Sequence, residues 1–137
     1  MNQKAQVAFE YMIIIGIVIA FLIPVWAYIA GVQQRTSTEL SITYAKSAAE
    51  NVANTANLVY SQGPPAKVNI MIFMPEGIED VNITNNLINI KVRVGPAISN
   101  IYAESDALLN GTLPTTEGNY RISIEATDSY VQITPVI

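Results

Sequence analysis

Apolar positions along the chain begin with one long continuous run. From Tyr11 to Val32 there are 22 residues without a charge, and 19 of them are hydrophobic. At about 1.5 Å rise per residue, a helix over this run would span about 33 Å, enough to cross a hydrocarbon core of about 30 Å. The run therefore predicts a helix that can cross a membrane.

Beyond Val32 the chain becomes polar, but apolar side chains recur every four residues. The series is Leu40, Tyr44, Ala48, Val52, Ala56 and Tyr60, widened by Ile42, Ala45, Ala49 and Ala53. It predicts an amphipathic helix whose stripe packs on the following domain. Because the glycine and two prolines at 63–65 cannot continue a helix, we expect one helix over residues 6–62. Its membrane half is 11–32 and its amphipathic half is 33–62.

Pro24 interrupts the membrane half of this predicted helix. A proline has no backbone N–H, so the Ala20 carbonyl loses its helical hydrogen bond. Membrane helices tolerate such a proline. We expect a kink or a locally melted turn at Pro24.

After Pro65 the period of the apolar positions changes from near four to two, which is typical of β-strands. The alternating positions are Val68, Ile70, Ile72 and Met74; Ile88, Ile90, Val92 and Val94; Tyr120, Ile122 and Ile124; and Val131 and Ile133. Turn signals separate these segments, with clusters of Pro, Gly, Asn, Asp and Ser. Residues 66–137 are therefore predicted to form a β-rich head, a small antiparallel sheet or sandwich, in an α+β fold.

Composition and charge exclude several classes of function. The 137 residues contain no cysteine and no histidine, which removes thiol nucleophiles, disulfides, zinc fingers and imidazole bases. A net charge of −4 with seven Lys and Arg argues against nucleic-acid binding. The acidic pairs Glu79-Asp80 and Glu104/Asp106 lack the spacing of a calcium loop. We expect neither an enzyme nor a bound cofactor or metal.

The head carries all of the net charge and two glycosylation sequons. Residues 1–60 sum to zero, whereas residues 61–137 have four cations against eight anions. The sequons begin at Asn82 and Asn110, in predicted turns or strand edges. Both asparagines are candidate N-glycosylation sites, and chance occurrence in a chain rich in Asn and Thr is the alternative.

The apolar run can be interpreted as a signal peptide or as a membrane anchor. A signal peptide fits poorly, because its apolar region is usually about 7–15 residues long and ends at a small-residue cleavage site. Glu10 stands immediately before the run. Its carboxylate either remains in water at the membrane interface or has a specific role, since charges at the edge of lipid are costly and often functional.

The segment Lys4–Ile13, with the sequence KAQVAFEYMI, resembles the class III signal peptide of archaeal type IV prepilins. Members of that family begin the mature chain with glutamine, have a small residue two positions later, and have glutamate at the fifth position. Gln6, Ala8 and Glu10 occupy these places, although serine is usual where this chain has Ala8. The order of short sequence segments in the head also looks like that of archaeal class III pilin heads.

The resemblance implies that a prepilin peptidase cleaves between Ala5 and Gln6 and removes the leader, residues 1–5. Cleavage would create an amine at Gln6, one helical turn from Glu10. An apolar filament core tolerates a carboxylate only when it is paired. We therefore expect Gln6 and Glu10 to set the register between neighbouring subunits.

The resemblance further implies a pilin-like lollipop and a structural function. The chain is expected to be a subunit of an archaeal type IV pilus that adheres to surfaces. Its precursor would be inserted in the membrane, processed by the peptidase and the assembly machinery, and assembled with identical subunits into an extracellular helical polymer. An archaellin-like filament subunit and a non-polymerising, membrane-anchored surface binding protein are the alternatives.

Overall fold

The computed structural model describes residues 3–136 as one helix followed by seven strands. Helix α1 is Gln3–Gln62; the strands are β1 (Lys67–Met74), β2 (Ile78–Thr84), β3 (Leu87–Val94), β4 (Ala97–Glu104), β5 (Leu109–Gly111), β6 (Gly118–Ala126) and β7 (Val131–Val136). Met1 and Asn2 of the predicted leader, and Ile137 at the end of the predicted head, lie outside the described residues. The predicted α+β class is confirmed.

The chain divides into two compact units within α1. The first unit ends at Ser37, and all of its described residues are helical. The second begins at Thr38 and contains the remainder of α1 together with all seven strands. Residues 38–62, most of the predicted amphipathic half, therefore fold with the β-rich head.

Gly63 terminates α1 at the position that the sequence predicts. Its φ of 73° is in the left-handed region, which a glycine enters without steric cost. From there its N–H donates to the carbonyls of Val59 (3.1 Å) and Tyr60 (3.2 Å). These bonds satisfy carbonyls that the end of a helix otherwise leaves without partners.

The seven strands form two sheets. One sheet has the order β1-β6-β7-β5, and the other has the order β2-β3-β4. All neighbouring strands are antiparallel except β5 and β7, which pair in parallel. The four predicted strands correspond to β1, β3, β6 and β7, whereas β2, β4 and β5 are additional.

Each additional strand lacks a clean alternation of apolar residues. In β2 the register shifts between Ile78 and Asp80, so the apolar positions do not keep a spacing of two. In β4 both faces carry apolar groups, with Ile101 buried and Tyr102 exposed. β5 has only three residues, too short for a period to be detected.

Helix and sheets share a single hydrophobic core within the second unit. The helix contributes Ala45, Ala48, Ala49, Val52, Ala53, Ala56 and Val59, which pack with buried isoleucines, valines and Met74 of the strands. The predicted packing of the stripe is thus correct in its middle. Leu40, Tyr44 and Tyr60 were expected in the same stripe but are exposed.

A buried polar contact adds to the apolar packing between α1 and the strands. The Asn57 amide oxygen accepts hydrogen bonds from the Ser105 hydroxyl (2.6 Å) and the Asp106 backbone N–H (2.9 Å). Ser105 is 1% exposed, and its hydroxyl oxygen also accepts the Ala107 N–H at 3.1 Å. The network fixes the loop between β4 and β5 against the helix.

Candidate functional site

The first unit presents apolar side chains around the whole circumference of the helix. Every residue from Ala5 to Ser37 is exposed, including Phe21 (71%), Trp26 (75%) and Tyr28 (73%). A helix that is apolar on all sides needs a nonaqueous surrounding or a protein partner. α1 is, within the part of the chain that the structure describes, the helix long and apolar enough to cross a membrane.

A polar pair stands at the N-terminal edge of this apolar surface. The Gln6 side-chain amide donates to the Glu10 carboxylate at 3.4 Å, a long hydrogen bond between residues one turn apart. Both side chains are exposed, as is Ala5. The Ala5–Gln6 bond, which the resemblance marks for cleavage, lies inside α1 rather than before it.

Pro24 lies inside α1 without interrupting it. Helical structure continues through the residues on both sides of the proline, so the locally melted turn expected there is absent. The kink remains a prediction. Pro24 itself is exposed among apolar neighbours.

The two sequons lie in edge strands and not in turns. Asn82 is in β2, at the edge of the three-stranded sheet, and Asn110 is in β5, at the edge of the four-stranded sheet. Both side chains are exposed. The Thr84 hydroxyl donates to the Asn82 amide oxygen at 3.0 Å, so the two recognition groups of that sequon face the same side of the strand.

Two of the four acidic residues considered as metal ligands have basic partners instead. Asp80 pairs with Lys91 at 3.2 Å, and Glu79 pairs with Arg93. Among the described residues, no group of three or more acidic side chains has the arrangement of a metal site. These carboxylates therefore connect β2 to β3 across the sheet.

The sequence did not predict two features of the second unit. One is the Asn57 network, whose partners are 48 and 49 residues away along the chain. The other is Arg121, an exposed cation on the four-stranded sheet. Tyr120 and Ile122 lie on the opposite face of the strand from Arg121, so the alternation could have placed Arg121 outside the core. Its neighbours on other strands depend on the pairing register of the sheet.

Comparison of the chain with family models, curated proteins and solved structures finds no match.

Proposed function

We propose that the chain is the structural subunit of an archaeal type IV pilus, an extracellular filament that adheres to surfaces. The observation that carries the proposal is that every apolar side chain from Ala5 to Ser37 is exposed. This unit is joined in one chain to a folded head whose exposed surface is largely polar. Such a helix is stable in lipid before assembly and against other copies of itself afterwards.

Burial of this surface keeps the helix out of water, both in the membrane and in the filament. At about 25 cal/mol per Å² of apolar area, removing a helix of this size from water contributes on the order of tens of kcal/mol before entropic costs. In a membrane the same surface is already in an apolar solvent, so assembly exchanges lipid contacts for contacts between subunits. The same apolar surface therefore contacts lipid in the inserted subunit and contacts neighbouring subunits in the filament.

The polar pair at Gln6 and Glu10 gives the filament core a specific contact. By resemblance, the prepilin peptidase cleaves after Ala5 and leaves an amine on Gln6. This amine would form within one helical turn of the Glu10 carboxylate. A charge in an apolar core is stable only when it is paired, and pairing with the amine of a neighbouring subunit sets their axial register.

Replacement of Glu10 tests this role. We expect Glu10→Ala and Glu10→Gln to lower filament yield by about tenfold or more, because an amine without its carboxylate is costly to bury. Glu50→Ala is the matched control, since Glu50 is an exposed glutamate of the same helix in a solvent-accessible pair with Lys46. The measurement is the mass of sheared filaments per cell, with membrane-bound subunit quantified in parallel.

Normal yields of normal filaments from Glu10→Ala would refute the role of the carboxylate. Full membrane insertion of every variant, without any filament from the unmodified chain, would instead favour a membrane-anchored surface protein that does not polymerise.

A further inference from the structure

The outer face of the four-stranded sheet has a polar part and an apolar part. Strand register places its outward side chains in rows that cross the sheet. Two rows are polar: Lys67, Glu125, Gln132 and Asn110 in the first, and Asn69, Ser123 and Thr134 in the second. The third row consists of Met71, Arg121 and Val136, and we call it the Arg121 row.

Arg121 differs from the other cations of the second unit. Residues 38–137 contain ten acidic and five basic residues. Four of the basic residues form ion pairs, namely Lys46 with Glu50, Lys67 with Glu125, Lys91 with Asp80 and Arg93 with Glu79. Within residues 3–136, Arg121 has no ionic partner.

Acidic groups of the same unit are in excess. Six carboxylates of the second unit have no basic partner among the described residues: Glu39, Glu76, Glu104, Asp106, Glu117 and Asp128. Arg121, which has no ionic partner within residues 3–136, therefore faces solvent on a unit whose other unpaired charged side chains in that range are acidic. A second copy of this chain presents the complementary charge.

The surroundings of Arg121 have the composition of a protein interface. Met71 and Val136 lie directly opposite Arg121 on the two neighbouring strands and are 62% and 42% exposed. Next to Met71 on the same face, Phe73 packs edge-to-face on Tyr44 of α1, with ring centroids 5.2 Å apart. Arginine, methionine and aromatic residues are enriched in interfaces, and arginine is frequent among the residues that dominate binding.

We propose that the Arg121 row docks onto one of these unpaired carboxylates in the second unit of another copy of the chain. In a filament the contact is heterologous, because one repeated operation relates each copy to the next and the arginine of one copy meets a carboxylate of its neighbour. Interfaces of this type generate rings or open helical filaments. The proposal rests on the proposed function, and it adds a head-to-head contact to the contacts of the apolar helices.

Such a contact supplies specificity that the helix surface lacks. Apolar burial is non-directional, so a helix that is apolar on every side does not by itself select one orientation of its neighbour. Charge complementarity fixes register and suppresses incorrect arrangements. The guanidinium, flanked by apolar side chains, can bind a carboxylate through two parallel hydrogen bonds.

The sequons lie away from the Arg121 row. Asn110 is in the row of Gln132, which is four residues from Val136 along β7. At about 3.3 Å per residue, that separation is about 13 Å along the strand. Asn82 is on the other sheet.

Charge reversal and its rescue test the contact. We expect Arg121→Glu in the full-length chain to lower filament yield by about tenfold or more, the effect of losing a dominant interface arginine. Lys91→Glu is the control, because it makes the same change in net charge on the other sheet. Hydrogen exchange of the membrane-inserted subunit verifies that both variants keep a folded head.

In the Arg121→Glu background, each of the six unpaired carboxylates is then replaced by arginine in turn. Recovery of filaments with one of these replacements is the expected result and identifies the partner surface. Normal filament yield from Arg121→Glu, an equal loss with Lys91→Glu, or no recovery with any replacement would overturn the contact. These results leave the proposed function standing, whereas absence of filaments from the unmodified chain would overturn both.

Discussion

Asn57 is a polar link between α1 and the loop after β4, and its replacement by alanine should destabilise the head by about 2 kcal/mol. Asn57→Ala removes the acceptor of the Ser105 hydroxyl, which is 1% exposed. Leaving a buried donor without a partner costs about 1–3 kcal/mol. The Asp106 N–H also loses its acceptor, but Asp106 is exposed and water can replace the lost bond.

Asn54→Ala is the matched control for this substitution. Asn54 is exposed one turn earlier on the same helix. Both substitutions gain the same helix propensity from the change of asparagine to alanine, so the difference between them isolates the buried hydrogen bonds. A solvent-exposed change of this kind should alter stability by no more than about 0.5 kcal/mol.

Hydrogen exchange measures the difference on the full-length chain in detergent micelles. The slowest amides of β3, the central strand of its sheet, exchange through unfolding of the head. A loss of about 2 kcal/mol raises their exchange rate by about thirtyfold. Exchange rates that agree between Asn57→Ala and Asn54→Ala within a factor of two would refute the assigned role of the network.

Further predictions concern the β5 strand and the sequons. Gly111→Ala should destabilise the head by roughly 3 kcal/mol or more, because its Cβ would lie 2.0 Å from the Ile133 carbonyl oxygen at a φ of +140°. Gly16→Ala meets no atom within 4 Å and should leave hydrogen exchange of the head unchanged; equal effects would contradict the close approach. Mass spectrometry of native protein should find glycan on the exposed Asn82 and Asn110, and unmodified masses for both peptides would remove that claim.

Sequence periodicity predicted the parts of the fold in which local pattern and packing agree. The glycine at position 63 predicts the end of α1. Alternating apolar residues that face one core predict β1, β3, β6 and β7. β2 could not be found in this way, because the irregular register after Ile78 breaks the alternation. The parallel pairing of β5 with β7 depends on contacts distant in sequence.

The apolar stripe of α1 shows why a repeated spacing of four residues does not predict burial along its whole length. Each residue of an α-helix turns by about 100°, so a step of four residues advances by about 40° beyond a full turn. From Leu40 to Tyr60 the series has therefore rotated by about 200°. Only its middle members, around Val52, can face the core, while Leu40 and Tyr60 are exposed.

The contact between Gln6 and Glu10 was predictable, because the two residues lie within about one helical turn of each other. The spacing of Gln6 and Glu10 places both side chains on one face, and their hydrogen bond follows from that spacing. The Arg121 row was not predictable, because its members come from three strands and only the pairing register of those strands places them side by side. The absence of an ionic partner for Arg121 within residues 3–136 is a property of the folded head.

The most direct test of the central claim is intact-protein mass spectrometry of filaments sheared from the cell surface and identified by electron microscopy. The account predicts that the filaments consist of this chain beginning at Gln6, with the amine of that glutamine free. An intact chain beginning at Met1, recovered as a monodisperse membrane monomer and absent from filaments, would contradict it.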